Sequence, residues 1–299
     1  MGDALKPPSS GSDRISLVEA DSVLRSLWEE DALAWDKYWV PVFRVFARDL
    51  VKDASPSPGD VVLDLGTSSG LAAIEVSRAV PSVGLVVGID RSDAMIALAR
   101  KKAVRVRLRT LRFIKMSGEA LRFPDGFFDA AISNCGIGIT DFSAGLKEIL
   151  RVLRPRGVLV FNDWHLIDVK PHRIFGEVLR KYRTETPSPQ LARERLALAR
   201  MESFHHTLSS KTQLQTVHDV GFRHARLTNR RYSVRIRGVK DYLKMRLSRA
   251  TIRREMSEMS ATQRQLFLSE LRARLSEFVK GKSLVFEWAV FYVRARKPS

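Results

Sequence analysis

The stretch Val61-Val62-Leu63-Asp64-Leu65-Gly66-Thr67-Ser68-Ser69-Gly70 decides how this chain folds. A short apolar run carrying one acid passes into a turn of small residues, and a helix-like run, Leu71 to Val80, follows. Such a run, bounded by a glycine turn, reads as a buried strand. A turn of small residues lets a ligand lie against bare backbone. The helix behind it offers its first N–H groups to that ligand. Asp90 comes twenty positions after Gly70, at the end of a second apolar run, Gly84 to Ile89. In nucleotide-binding βαβ units such an acid takes the ribose hydroxyls. The pattern predicts a nucleoside cofactor held on a strand, a turn and a helix.

The dinucleotide fingerprint G-x-G-x-x-G is absent from the turn, which reads Asp64-x-Gly66-x-Ser68-x-Gly70. No phosphate-cradling G-x-x-x-x-G-K-[ST] string exists either. An acid two residues before the first glycine repels phosphate and suits a cationic amino-acid head. The combination resembles motif I of the class I S-adenosylmethionine (SAM) methyltransferases. Three further stretches resemble the same family in order and at its spacing. Asp90-Arg91-Ser92-Asp93-Ala94-Met95-Ile96 follows the second strand, and Leu121 to Asp129 leads into the fourth. Leu146 to Gly157, with Glu148, Arg151 and Pro155, forms the helix and turn before the fifth. The resemblance covers roughly residues 36 to 164. It is closest to the small-molecule branch that includes the ubiquinone/menaquinone-biosynthesis C-methyltransferases, whose first helix is similar to Asp36-Lys37-Tyr38.

The resemblance implies an α/β fold: a Rossmann-like, seven-stranded, mostly parallel sheet with helices on both faces. It implies SAM as cofactor. Asp64 would orient the amino group, Asp90 would hold the ribose, and Met95 and Ile96, or the backbone near Gly118, would flank the adenine. Gly66, Thr67, Ser68, Gly70, Arg91, Ser117, Glu119 and Asn134 complete the expected cofactor-binding set. Three residues depart from the family pattern. Ser68 replaces its middle glycine, Ser117 stands where an aspartate usually accepts from the adenine amino group, and Arg156 replaces a glycine of the P-G-G turn.

The chain has 299 residues, 44% of them apolar, enough for a large core with a cap. No apolar run is long enough for a spanning helix, and the N-terminus lacks a signal-peptide pattern. A single cysteine, Cys135, excludes an internal disulfide and a thiolate metal cage. These features predict a cytoplasmic protein. The net charge of +18 is uneven, since residues 171–299 carry 28 basic and 11 acidic groups. Such a field attracts anionic membrane, RNA or an anionic substrate, with a solvated Arg-rich face as the plain alternative.

Four segments follow from the patterning. Residues 1–12, rich in Pro, Ser and Gly, read as a disordered tail, and 13–54 as N-terminal cap helices. Residues 55–164 are the SAM-binding core. Residues 165–299 add the remaining core strands, with helical cap insertions at about 165–215 and 239–279. Arg231 to Ile236 and Leu284 to Val293 read as the last two strands. Ser260 and Gln263 form a capping box before an apolar face of Leu266, Phe267, Leu271, Leu275 and Phe278.

Methyl transfer needs the nucleophile, methyl and sulfur held in line with water excluded, so no catalytic triad is expected. His165, just after the fifth strand, is the candidate general base, with His172 behind it. Tyr38 is the candidate that closes over the methionine end. No metal site is expected from the six histidines. The leading reading is a methyltransferase for a small, largely apolar acceptor, a quinone-like or lipid-like molecule methylated on oxygen or carbon. The alternatives are an RNA methyltransferase using the basic C-terminal surface and a non-catalytic SAM-fold binding protein. The oligomeric state is open.

Overall fold

The computed structural model describes residues 15–81, 84–137, 141–164, 169–207 and 209–299. The tail expected over residues 1–12 lies outside them, as does His165.

Alternation between apolar runs and helical patterns gives eight strands among the described residues: β1 (Val61–Leu65), β2 (Leu85–Asp90), β3 (Leu111–Lys115), β4 (Phe128–Asn134), β5 (Leu153–Trp164), β6 (Arg223–Ile236), β7 (Val279–Lys280) and β8 (Ser283–Arg296). The sheet order is β3-β2-β1-β4-β5-β8-β6, with β7 on β8. Strands β1 to β5 run parallel, while β8 is antiparallel to both β5 and β6. The sequence order reverses between β1 and β4. In open α/β sheets ligands bind at the carboxyl ends of strands beside such a reversal.

Successive strand residues face opposite sides. Val62, Val86, Ala130 and Val160 pack under α2 (Val40–Ala54), α3 (Leu71–Ala79) and α4 (Asp93–Arg105). Leu63, Val87, Ala131 and Leu159 pack under α5 (Phe142–Val152) and α8 (Ser210–Val220). Both faces are therefore covered, as a parallel sheet requires.

The remaining α-helices are α1 (Leu17–Ala34), α6 (Lys170–Tyr182), α7 (Pro189–Thr207), α9 (Gly238–Leu247), α10 (Ala250–Glu258) and α11 (Ala261–Leu275). Ser260 and Gln263 do make the capping box of α11. Its apolar face is narrower than expected, because Leu266 is 48% exposed whereas Phe267, Leu271 and Leu275 are buried. The last core strands are longer than the sequence suggests. The Arg-rich segment before Arg231 pairs with β8 as far back as Arg223, so backbone pairing overrides its polar composition. α11 ends at Leu275, a single 3-10 turn follows over Ser276–Phe278, and Gly281 turns the β7–β8 hairpin at φ +60°.

The charge asymmetry finds a structural cause. Arg230 bonds Asp53 at 2.8 Å, Arg249 bonds Asp31 at 2.8 Å, and Arg253 and Arg254 reach Glu30 at 2.6 and 2.9 Å. Acids of the N-terminal helices thus meet arginines of the C-terminal part. Each exposed pair is worth at most about 1 kcal/mol. Arg226, Arg235, Arg237 and Lys240 enter no ion pair among the described residues, so a basic surface remains. Among those residues no helix is long and apolar enough to cross a membrane.

Candidate active site

The turn after β1 is built around left-handed backbone. Gly66, Ser68 and Gly70 have φ of +67°, +51° and +85°. A Cβ on Gly66 would stand 2.8 Å from the Gly136 Cα, and one on Gly136 would stand 2.9 Å from the Gly66 oxygen. The turns leaving β1 and β4 therefore touch through bare backbone at the reversal point. Ser68 adopts the conformation that glycine takes more cheaply. Its hydroxyl turns toward the Met95 sulfur, at 3.3 Å.

Two carboxylates organise the turn. Asp64 is fully buried; its Oδ2 accepts from the Thr67 hydroxyl at 2.6 Å and from Ala73 N at 2.9 Å. Its Oδ1 has no hydrogen-bond partner among the described residues. Burial, opposed by those two bonds and reinforced by the Asp90 charge, pushes its pKa up to about 7. Asp90 bridges two loops, accepting from Ser68 N at 2.9 Å and from Ser92 N at 3.0 Å. Burial also raises its pKa, against the bonds from Ser92 and Ser68. Each of its oxygens keeps a lone pair for a further donor.

A stability profile follows from Asp64. The native carboxyl keeps its proton to higher pH than the unfolded chain, whose value is 3.8. Stability is therefore expected to fall as pH rises from 3.8 to about 7 and to level off above, by on the order of 4 kcal/mol. Urea midpoints of the wild type and Asp64→Asn, taken across this range, test it. The variant should lack that part of the slope; parallel profiles would mean that Asp64 stays ionised in the fold.

The remaining expected residues fall into two groups. Met95 is buried on α4 beside Ser68, and Gly118 lies against the end of β1, where a Cβ would meet Leu65 at 3.0 Å. Ser117 accepts from Glu119 N at 3.3 Å, and Glu119 accepts from Asp141 N at 2.6 Å. These residues follow the carboxyl ends of β2 and β3. Others are engaged elsewhere. Arg91 bonds Asp21 of α1 at 2.8 Å, and Asn134 accepts from the Asn162 amide at 3.0 Å. Tyr38 is half-buried against the core, with the Lys37 ammonium 5.0 Å from its ring centre. His172 is half-buried, and desolvation of its ring, with the nearby Arg246 charge, holds its pKa well below 6.5.

Sequence reasoning missed the device that joins the N-terminal helices to the turn. Residues Trp35–Trp39 form one π-helical turn between α1 and α2. Such turns cluster at functional sites. From it Asp36 accepts from the Ser69 hydroxyl at 2.5 Å and pairs with Lys102 of α4, which also donates to Ser69 at 2.9 Å. Only Asp36's place in the family-like first helix hinted at this contact. Cys135 adopts φ +56°, and its thiol lies 3.2 Å from the Asn162 side-chain oxygen. Burial raises its pKa well above 9.0, so it is no thiolate nucleophile.

The donor set fits SAM rather than a phosphate ligand. Acids stand at the turn and at the end of β2, the turn backbone is open, and the acid with an unused oxygen suits an ammonium. Among the described residues no cluster could hold a metal ion.

Comparison with known proteins agrees. Residues 62–157 match the family described as a methyltransferase domain. The chain is 38% identical over 125 residues to the ubiquinone/menaquinone biosynthesis C-methyltransferase of Geobacter sulfurreducens, covering 41% of this chain and 49% of that protein. It is 34% identical over 142 residues to the 2-phytyl-1,4-naphtoquinone methyltransferase of Synechococcus elongatus, covering 46% of this chain and 58% of that protein. The chain thus spans about half the length of these curated relatives. The fold is shared with phosphoethanolamine N-methyltransferase 2 of Haemonchus contortus, solved with S-adenosyl-L-methionine, at TM-score 0.51 and 16% identity, over 93% of this chain and 57% of that one. The stretch that is similar to a methyltransferase domain, residues 62–157, spans the sheet from β1 to the start of β5.

Proposed function

We propose that this protein transfers a methyl group from SAM to a small, largely apolar acceptor with a flat ring system, on oxygen or carbon. The observation that carries this reading is the aromatic roof beyond the carboxyl edge of the sheet. Trp35, Trp39, Phe43, Trp164 and Trp288 pack there ring on ring, with Phe43 5.2 Å from Trp164 and 5.6 Å from Trp288. A largely apolar, water-excluding wall suits an apolar acceptor. The quinone-type names of the relatives agree with it.

The chemistry that SAM supplies when bound is a methyl activated on a sulfonium. The chain's own residues would bind, orient and exclude water. Asp90 would accept from the ribose hydroxyls with its free lone pairs. Asp64 would hold the turn and orient the amino group, and Met95 with Gly118 would flank the adenine. Tyr38, on the π turn, would close the methionine end, and His165 would serve as base toward the acceptor. The remaining basic surface would rest on anionic membrane, where each close cation contributes about 1 kcal/mol.

Incubation with methyl-labelled SAM and host lipid, small-molecule and RNA fractions, read by mass spectrometry, tests the proposal. Label is expected in an apolar ring compound. Label confined to RNA, or none anywhere, would overturn it.

A further inference from the structure

Side chains far apart in sequence meet just beyond the last rungs of β5. Asp163 pairs with Phe291 and Trp164 with Val290 there, so Trp288 and Phe286 carry β8 past the carboxyl edge. The His172 ring stands 5.0 Å from Trp288 and 5.9 Å from Trp39, and its Nδ1 lies 2.9 Å from the Tyr242 hydroxyl. The Arg246 guanidinium lies 5.7 Å from the Trp39 ring centre. Trp39 closes the same π turn whose Asp36 grips the glycine turn. This cluster is therefore one helical turn from the cofactor side.

Four of its polar atoms are unspent. The Nε1 atoms of Trp39 and Trp288, the Nε2 of His172 and the Nε of Arg246 are all buried and have no hydrogen-bond partner among the described residues. Trp39 and Trp288 are only 6% and 2% exposed. Arg249, three residues along, has its carboxylate, Asp31, at 2.8 Å, while Arg246 has none within ion-pair distance among the described residues. Leaving a buried donor unpaired costs about 1–3 kcal/mol, and several together call for an explanation. Aromatic faces near Arg246 ease its burial without accepting its hydrogen bonds. Fixed N–H donors and a cation set among rings form a receptor for an anionic oxygen on a flat apolar body.

We propose that Arg246, Trp39, Trp288 and His172 form the headgroup site of the methyl acceptor, and that this acceptor carries an anionic oxygen on a planar apolar ring. The inference rests on the methyltransferase reading above. The polar atoms are closed off from solvent, so the box opens to admit the ring and regains partners when the oxygen arrives.

Calorimetry on the full chain at pH 7 tests both levels separately. S-adenosylhomocysteine is titrated first; failure to bind would sink the methyltransferase reading itself. With that ligand bound, 1-hydroxy-2-naphthoate, its neutral methyl ester and 2,4-dinitro-1-naphtholate follow. The naphthoate or the naphtholate is expected to bind at least about tenfold more tightly than the ester, the loss that follows removal of a charged hydrogen-bond partner. Which of the two binds tells a carboxylate from a phenolate. Arg246→Met should erase the preference, and Trp288→Phe, which keeps a ring and removes the N–H, should weaken the anion alone. Arg246→Lys keeps the charge and stands in if the methionine variant does not fold. Equal binding of anion and ester, no binding of any probe, or a preference that survives in the Arg246 variant would overturn the inference.

Discussion

Asp90→Ala is expected to weaken SAM binding by about 100-fold or more. The size follows from what the carboxylate holds. Its two oxygens accept from Ser68 N in the glycine turn and from Ser92 N at the head of α4, at 2.9 and 3.0 Å. Ser92 in turn caps α4 through Met95 N at 3.1 Å. Alanine strands both backbone donors, loosens the turn against α4 and removes the acceptor for the ribose diol. Charged hydrogen bonds contribute about 1.5–3 kcal/mol each, so two lost to a ligand give the stated factor. Asp90→Asn separates the contributions. Its one carbonyl oxygen can satisfy only part of this bridge, and its amide presents a donor where an acceptor is needed. An intermediate loss is expected. Calorimetry with SAM, beside thermal melts of the free protein, reads affinity and fold apart. Unchanged affinity in Asp90→Ala would show that another group takes the ribose.

Asp90, the turn and the strands around them were legible because their signals are local. A buried strand, a small-residue turn and an acid at the next strand end lie within thirty residues of each other, and each shows in periodicity or composition. The capping box of α11 was legible for the same reason. The aromatic box was not. Its members sit at 39, 172, 242, 246 and 288, on four separate elements, and nothing local marks a tryptophan that packs from one that aims a free N–H. The strand before Arg231 was missed because its arginines look like loop; only the long partner β8 makes them an edge strand. Two of the departures from the family pattern share a geometric reading. Ser68 and Arg156 keep the left-handed backbone of the glycines they replace, at φ +51° and +65°. The backbone path is preserved, and each side chain bears the strain.

Gly66→Ala is expected to destabilise the protein by about 2–4 kcal/mol, against about 1 kcal/mol for Gly59→Ala. Both glycines have positive φ, +67° and +84°, so both substitutions incur the backbone penalty of a side chain in left-handed space. They differ in surroundings. A Cβ at Gly59 meets nothing within 4 Å, whereas one at Gly66 comes to 2.8 Å from the Gly136 Cα and 3.0 Å from its oxygen. Those atoms are backbone, so no rotamer can relieve the contact, and the β1 and β4 turns must part. Parting them pulls on Leu65, on Ser133, whose hydroxyl donates to the Leu65 oxygen at 2.8 Å, and on the Cys135 turn tied to Asn162. Urea midpoints of the two variants measure the difference directly. SAM affinity supplies the second readout: Gly59→Ala should leave it unchanged, and Gly66→Ala should lower it even in the fraction that folds. Equal destabilisation by both would mean that strain alone governs the turn and that the two strand ends yield at no cost.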